Sequence, residues 1–345
     1  MSSLFALWLV SLLISGAALL IMCGLLISRL ILARTGRTRE AERRRLVPLL
    51  LGAGSDESGI SRVKGDLLAD LAVELIQLVR GSDRERFVAT ATRMGVPARL
   101  RHHLGSGSAR IRLSATEALA EFPDQASVER LNAALRDPNQ DVRLSAALSL
   151  ASIGKAPPAR ELVDLLAIGT TENSLLTVAL FRDIAAQNPD DIKALVLDTT
   201  VPPGAKAAAI EALSASGDYA LVPIITTLAA TAATGDVALP RYLKSLGDFG
   251  HPAAEPAVRR GLSSPSHEVR AAAAEAAGRI GLSTLAAHLQ QLLADPVWRV
   301  RFRAGEALAR LGEDGAARLR RTAATAGEPA RTAAALTLAE RGLPA

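Results

Sequence analysis

Five histidines, one cysteine and a few Glu–Arg pairs are the side chains of this chain best suited to chemistry. His102, His103, His251, His267 and His288 include no pair at the spacing that lets one helix offer two imidazoles to a metal. Adjacent His102 and His103 point to different faces of a helix. Cys23 stands alone inside an apolar run, so neither an internal disulfide nor a cysteine zinc site can form. Gly105-Ser106-Gly107-Ser108 has the small residues of a phosphate loop but lacks its lysine and preceding strand. A loosened turn between helices is the better reading. No metal, cofactor or catalytic constellation is expected, and the chain reads as a non-enzyme.

The Glu–Arg pairs are more regular. Glu275/Arg279 and Glu306/Arg310 are spaced i, i+4, the helical spacing of surface ion pairs. What they can do depends on the elements that carry them, and those elements repeat. The segments GSARIRLSATEALAEF, NQDVRLSAALSLASIG, SHEVRAAAAEAAGRIG and VWRVRFRAGEALARLG align on Arg112, Arg143, Arg270 and Arg301. Arg112 to Arg143 and Arg270 to Arg301 are each 31 residues, and the 127 between Arg143 and Arg270 are close to four further periods. A fixed period of this size predicts a stacked repeat array.

The missing units follow from a rule: an apolar residue seven after the anchor and a helix stop eleven after it. Arg84, Thr177, Lys206, Leu239 and Arg331 satisfy it, which makes nine units. The stops are Gly95, Pro123, Gly154, Asn188, Gly217, Gly250, Gly281, Gly312 and Gly342. Gly and Asn tolerate the left-handed conformation that ends a helix, and Pro cannot continue one. First helices with apolar 3–4 spacing lie between, at residues 66–79, 126–136, 159–168, 220–228 and 284–293. Gly261 falls inside a first helix by this register, so alanine there is expected to be neutral or mildly stabilising. Glu117 and Glu211 share the offset of Glu275 and Glu306 from their anchors. The expected fold is all-α: an α-solenoid of about nine helical hairpins, preceded by one transmembrane helix.

A first helix, then Asp-Pro, then Val-Arg-x-x-Ala-x-x-x-Leu and a closing Gly resembles HEAT repeats, in the short bacterial form also found in phycobilisome-lyase-like proteins. The pattern is fullest at 137–154, 264–281 and 295–312, and it has drifted around Arg84, Thr177 and Leu239. The resemblance implies an Asp–Arg ladder between units, with structural roles for Asp137, Asp295, Arg143, Arg270 and Arg301. It also implies that second helices line a concave face. On that face Glu117, Glu211, Glu275, Arg279, Glu306 and Arg310 would form a charged stripe open to a partner. The simpler reading of the same residues is surface ion pairing.

Residues 4–28 carry no charge over 25 positions, and a helix needs about 20 to cross the hydrocarbon core. The basic cluster follows this run instead of preceding it, which favours a retained anchor over a cleaved signal peptide. Ser11 and Ser15 make a small-xxx-small pair, a weak dimerisation signal. Arg29 to Arg45 holds seven arginines against Glu40 and Glu42, which accounts for the whole formal charge of +5. Residues 46–345 are left with 33 basic and 33 acidic side chains. The sequence pI near 9.8 is therefore a juxtamembrane property. A nucleic-acid binder should carry excess charge on its folded part, so nucleic acid is not the expected partner, although Arg318, Arg320 and Arg321 form a short basic run. Arg34, Arg37, Arg39, Arg43, Arg44 and Arg45 are candidate contacts for lipid head groups.

The expected organisation is an anchor at 1–33, a basic segment and linker at 34–61, and repeats at 62–345. Cytoplasmic flanks collect arginine, so the N-terminus is expected outside and the repeats in the cytoplasm. The Ala-, Leu- and Arg-rich composition points to a high-GC bacterium, hence the inner membrane. The chain then reads as an anchored scaffold for protein partners, membrane-associated ones in particular. An envelope or exopolysaccharide synthesis and secretion apparatus is one such partner class, suggested by the systems that use anchored repeats and not by any residue. The alternatives are a lyase-like HEAT enzyme subunit and a nucleic-acid-binding HEAT protein.

Overall fold

The computed structural model describes Met22 and residues 43–44, 46–50, 65–76, 78–170, 174–214, 217–233 and 235–343. Apart from Met22, the expected membrane helix lies outside the described residues. Among those described, no helix is long and apolar enough to cross a membrane. The linker Gly52–Gly59 is outside them too, but residues 46–50 are helical and bury Leu46 and Leu50.

Besides the helical residues 43–44 and 46–50, eighteen α-helices and no β-strand occur among the described residues, and these eighteen alternate as first and second helices of nine hairpins. The pairs are α1 (Gly65–Ile76) with α2 (Ser82–Arg93), α3 (Val96–His103) with α4 (Ala109–Leu119), and α5 (Gln125–Ala134) with α6 (Gln140–Ser152). Next come α7 (Ala159–Leu165) with α8 (Leu175–Gln187), α9 (Pro189–Leu197) with α10 (Pro203–Leu213), and α11 (Leu221–Thr231) with α12 (Leu239–Phe249). The last are α13 (Glu255–Leu262) with α14 (His267–Ile280), α15 (Ala286–Leu292) with α16 (Trp298–Arg310), and α17 (Gly312–Thr325) with α18 (Ala330–Glu340). Every even-numbered helix holds one of the nine expected anchors. The chain divides into two compact units, residues 1–130 and 131–345, with the boundary inside α5.

The stop rule holds at the backbone. All seven stop glycines have positive φ, from 62° at Gly342 to 83° at Gly281. Asn188 does not, with φ −140° and ψ 82°. Pro189 follows it, and a residue before proline is pushed toward extended backbone. The helix therefore ends there because of the proline, without a left-handed cap.

In the first unit, α1, α3 and α4 pack on one another around buried Leu71, Phe87, Leu100 and Leu119. The anchor Arg84 reaches Glu121 with both Nε (3.0 Å) and Nη2. After Pro123, Asp124 begins α5 by accepting from the Ser127 amide at 2.7 Å, and it pairs with Arg101 at 2.9 Å.

In the second unit the second helices α6, α8, α10, α12, α14, α16 and α18 pack in succession, each against the next. Their shared faces are built largely of alanine: Ala207, Ala208 and Ala209 in α10, and Ala273, Ala274, Ala276 and Ala277 in α14. Small side chains let helix axes approach to the short end of the packing range, about 8 Å. The approach is closest at three glycines. A Cβ added at Gly247 would sit 2.9 Å from the Ala276 Cα, and one at Gly278 would sit 2.6 Å from the Ala307 Cα. One at Gly305 would strike the Thr337 hydroxyl. Gly247 and Gly278 both lie eight residues after their anchors, and Ala276 and Ala307 both lie six after theirs. One hairpin's glycine thus seats on the next hairpin's alanine.

Gly261 sits in a first helix as expected, but the alanine expectation fails. Its missing Cβ would lie 2.8 Å from the Ala273 Cβ and 2.9 Å from Leu243 Cδ1. A contact fixed by the neighbouring backbone outweighs a helix-propensity gain of about 1 kcal/mol.

These contacts separate two kinds of glycine. Gly278→Ala should destabilise by overpacking, by about 1–3 kcal/mol, and Gly261→Ala should also destabilise. A Cβ added at Gly281 meets no atom within 4 Å, so the cost of Gly281→Val, about 1–3 kcal/mol, should come from backbone strain. Gly281→Asn should then recover most of the loss, whereas Gly278→Asn should not. Denaturation midpoints of the five variants check this, and a wild-type midpoint for Gly278→Ala would refute the seating rule.

Candidate functional site

The anchor arginines do one local job. Arg301 donates through Nη1 to the carbonyls of Asp295 (2.8 Å) and Pro296 (3.0 Å) in the turn before its helix. Arg270 does the same to Ser264 and Pro265, each at 2.9 Å. Arg143 reaches the Asp137 carbonyl and Arg112 the Ser106 carbonyl, both at 2.9 Å. Each guanidinium closes the turn that ends a first helix. The Gly105–Ser108 run is such a turn. At the drifted anchors, Thr177 and Leu239 are buried in place of a cation.

Arg270 also forms the rung between hairpins that the resemblance implied. Its Nε and Nη2 bind Asp295 at 2.7 and 3.0 Å, and the Asp295 side chain is only 4% exposed. Burial pushes the Asp295 carboxyl upward. The hydrogen bonds from Arg270 and the Val297 amide, with the charges of Arg270 and Arg301, outweigh that and hold it below the usual range. Asp137 plays the turn role of Asp295, accepting from the Asn139 amide at 2.9 Å.

In the second unit, Glu211, Glu275, Arg279, Glu306 and Arg310 take part in ion pairs, most of which cross between hairpins. Glu275 binds Arg279 at 3.3 Å within α14 and Arg303 of α16 at 3.4 Å. Arg303 continues to Glu306 at 2.8 Å, and Glu306 to Arg341, just past α18, at 2.7 Å. Arg310 touches Glu306 at 3.9 Å, and Arg279 reaches back to Asp248 of α12. Glu211 holds Arg241 of the next hairpin through paired bonds of 2.9 and 3.0 Å. Glu211, Glu275 and Glu306 are each only 16% exposed, so these carboxylates mainly tie hairpins together. Glu117, in the first unit, is exposed with no ion partner among the described residues.

The sequence reading missed Arg241, Arg303, Arg341 and Asp248. A signal existed for two of them. Arg241 and Arg303 both sit two residues after an anchor position, 30 and 28 residues after the glutamate each one binds. In the groove across α10, α12, α14 and α16, of about 390 Å³, Lys244, Glu268 and Arg299 are exposed without an ion partner among the described residues.

Other candidates have structural employment. His251 caps a short 3-10 turn through Nδ1, which accepts from the Ala253 amide at 3.2 Å. Among the described residues, no cluster of His, Cys, Asp or Glu is placed to hold a metal. In the C-terminal basic run, Arg318 bonds to Asp314 at 3.2 Å and Gln290 at 3.1 Å, and Arg320 pairs with Glu313. Of the lipid candidates, Arg34, Arg37, Arg39 and Arg45 lie outside the described residues, and Arg43 pairs with Glu74 of α1 at 2.6 Å. Arg44 is helical.

Residues 97–175 and 240–309 match the family model of HEAT repeats. No curated protein matches the chain. Among solved structures it is similar to a mutant of the karyopherin Kap121p, with a TM-score of 0.44 and 14% identity over 82% of this chain and 38% of that one. It is similar to an engineered protein (TM-score 0.37, 19% identity, 82% of this chain and 86% of that one). Human deoxyhypusine hydroxylase in complex with glycerol is a third (TM-score 0.31, 19% identity, 72% and 98%). The chain thus spans under two-fifths of the karyopherin. In the two matched stretches, 97–175 and 240–309, the chain is similar to HEAT repeats.

The rung has a measurable pH signature. A native carboxyl held low contributes stability that is complete above its unfolded pKa near 4 and is lost as the pH falls through the native value. Asp295→Asn should lower the midpoint at pH 7 by the equivalent of about 3 kcal/mol, with the gap to wild type closing below about pH 4. A gap that does not change with pH would show that the charge contributes nothing. In a double-mutant cycle, Glu275→Gln and Arg303→Ala should couple by about 0.5–1 kcal/mol, and Arg299→Ala should show no coupling to Glu275.

Proposed function

We propose that this protein is a single-pass membrane-anchored scaffold whose HEAT repeats recruit protein partners at the cytoplasmic face of a bacterial inner membrane. The observation that carries the reading is the division of labour along the chain. One uncharged run of 25 residues and seven arginines lie at one end, and a charge-balanced repeat array follows. Within the second unit, successive second helices present side chains from several hairpins on one face, as the ion-pair network does. Such a face suits an extended protein partner. Partners of the envelope or exopolysaccharide apparatus fit an anchored scaffold. The short bacterial repeats serve here as a platform, without the lyase activity of some proteins they resemble.

Topology and partnership are tested separately. A reporter that functions only outside the cytoplasm, fused after Ala345, should be inactive, because the arginines hold their flank inside. An active reporter would overturn the orientation. Crosslinking in intact membranes should yield discrete protein partners that depend on the repeats, and recovery of lipid or nucleic acid alone would overturn the scaffold.

A further inference from the structure

The last two hairpins of the second unit expose what the rest of the array keeps scarce. Aromatic residues make up 3% of the chain, yet Trp298 opens α16 with 67% of its surface exposed. Phe302 lies one turn along, its ring centroid 6.2 Å away and tilted by 56°. Opposite them, α18 contributes Leu336, 52% exposed, with Ala333 between. Together they line a groove of about 360 Å³ between α16 and α18. A tryptophan left in water beside a second aromatic is the kind of anchor that concentrates binding energy.

The charge at the rim selects the occupant. Glu328 and Glu340 border the groove from opposite ends of α18. Both are exposed, and neither has an ion partner among the described residues; Glu328 accepts only from the Thr332 hydroxyl, at 2.7 Å. Arg301 also lines the groove, but its Nη1 is held by the turn carbonyls of Asp295 and Pro296. Two free carboxylates therefore flank an apolar slot with an exposed aromatic face. Such a face attracts a guanidinium or ammonium, and the carboxylates reinforce that choice.

We infer that the groove between α16 and α18 docks a segment of a protein partner that places an apolar side chain next to Lys or Arg. The apolar group fills the slot between Trp298 and Leu336, and the cation meets Glu328 or Glu340. This rests on the scaffold reading and gives that scaffold one docking point and a ligand chemistry.

The test pans a random peptide library against the full chain in nanodiscs. The enriched peptides should pair an aromatic or aliphatic residue with Lys or Arg. Their affinity should fall at least tenfold for Trp298→Ala and for the double variant Glu328→Lys/Glu340→Lys. All three positions are exposed, so the variants should keep the wild-type denaturation midpoint. Leu336→Gln gives a second route to the same loss without a charge change. Acidic consensus peptides, or basic ones that bind Trp298→Ala as tightly as wild type, would overturn the inference. So would concentration-dependent self-association abolished by Trp298→Ala, which would assign the groove to a second copy, or vesicle binding abolished by it, which would assign the groove to lipid. Membrane crosslinking with the same variants separates the two readings. Partners retained by Trp298→Ala would sink the groove and leave the scaffold standing, whereas no partners with wild type would sink the scaffold.

Discussion

The second unit rests on how closely its second helices can approach. A single helical hairpin of this composition buries little, because alanine offers a small apolar surface. Stability must come from neighbour meeting neighbour, and alanine contacts count only when backbones nearly touch. Gly247 against Ala276 and Gly278 against Ala307 meet that requirement. The rest of the unit follows from it. Arg143, Arg270 and Arg301 close the turns just before their own helices. The rung between Arg270 and Asp295 then falls into register, as do the pairs that Glu211 and Glu275 make with the next hairpin.

The repeat was legible because its punctuation is a backbone property. A glycine eleven residues after the anchor marks a left-handed φ, and the requirement survives even where the anchor has drifted to Leu239 or Lys206. Asn188 shows the limit of that inference, since a following proline can end a helix by a different route. Gly261 shows another. A glycine inside a helix looks like a defect in one dimension, and only the neighbouring Ala273 and Leu243 reveal that it makes room. The i, i+4 pairs were visible within one helix, but their other partners stand about one repeat away. Finding those means reading the sequence modulo its period, with Arg241 and Arg303 as equivalent positions.

Charge in this chain is divided by purpose. The arginines after the apolar run set a net sign, and the folded part has none. Within the second unit, Glu211, Glu275 and Glu306 cross from one hairpin to the next, which makes them poor candidates for a ligand. The groups left available lie elsewhere: Lys244, Glu268 and Arg299 along the groove over α10 to α16, and Glu328 and Glu340 at the far end. Recognition in such a chain falls to the side chains that the stacking leaves unused.

The slot beside Trp298 depends on two separate hairpins staying in register. Here α18 forms one wall of the slot beside Trp298, and α16 forms the other. The slot therefore exists only while the hairpin of α17 and α18 stays packed on its neighbour, and opening that contact dismantles it. Occupancy and packing are then linked reciprocally: whatever fills the slot holds α18 against α16, and separation of the two helices releases it. Occupancy would therefore register as added protection of α18 amides from exchange with solvent.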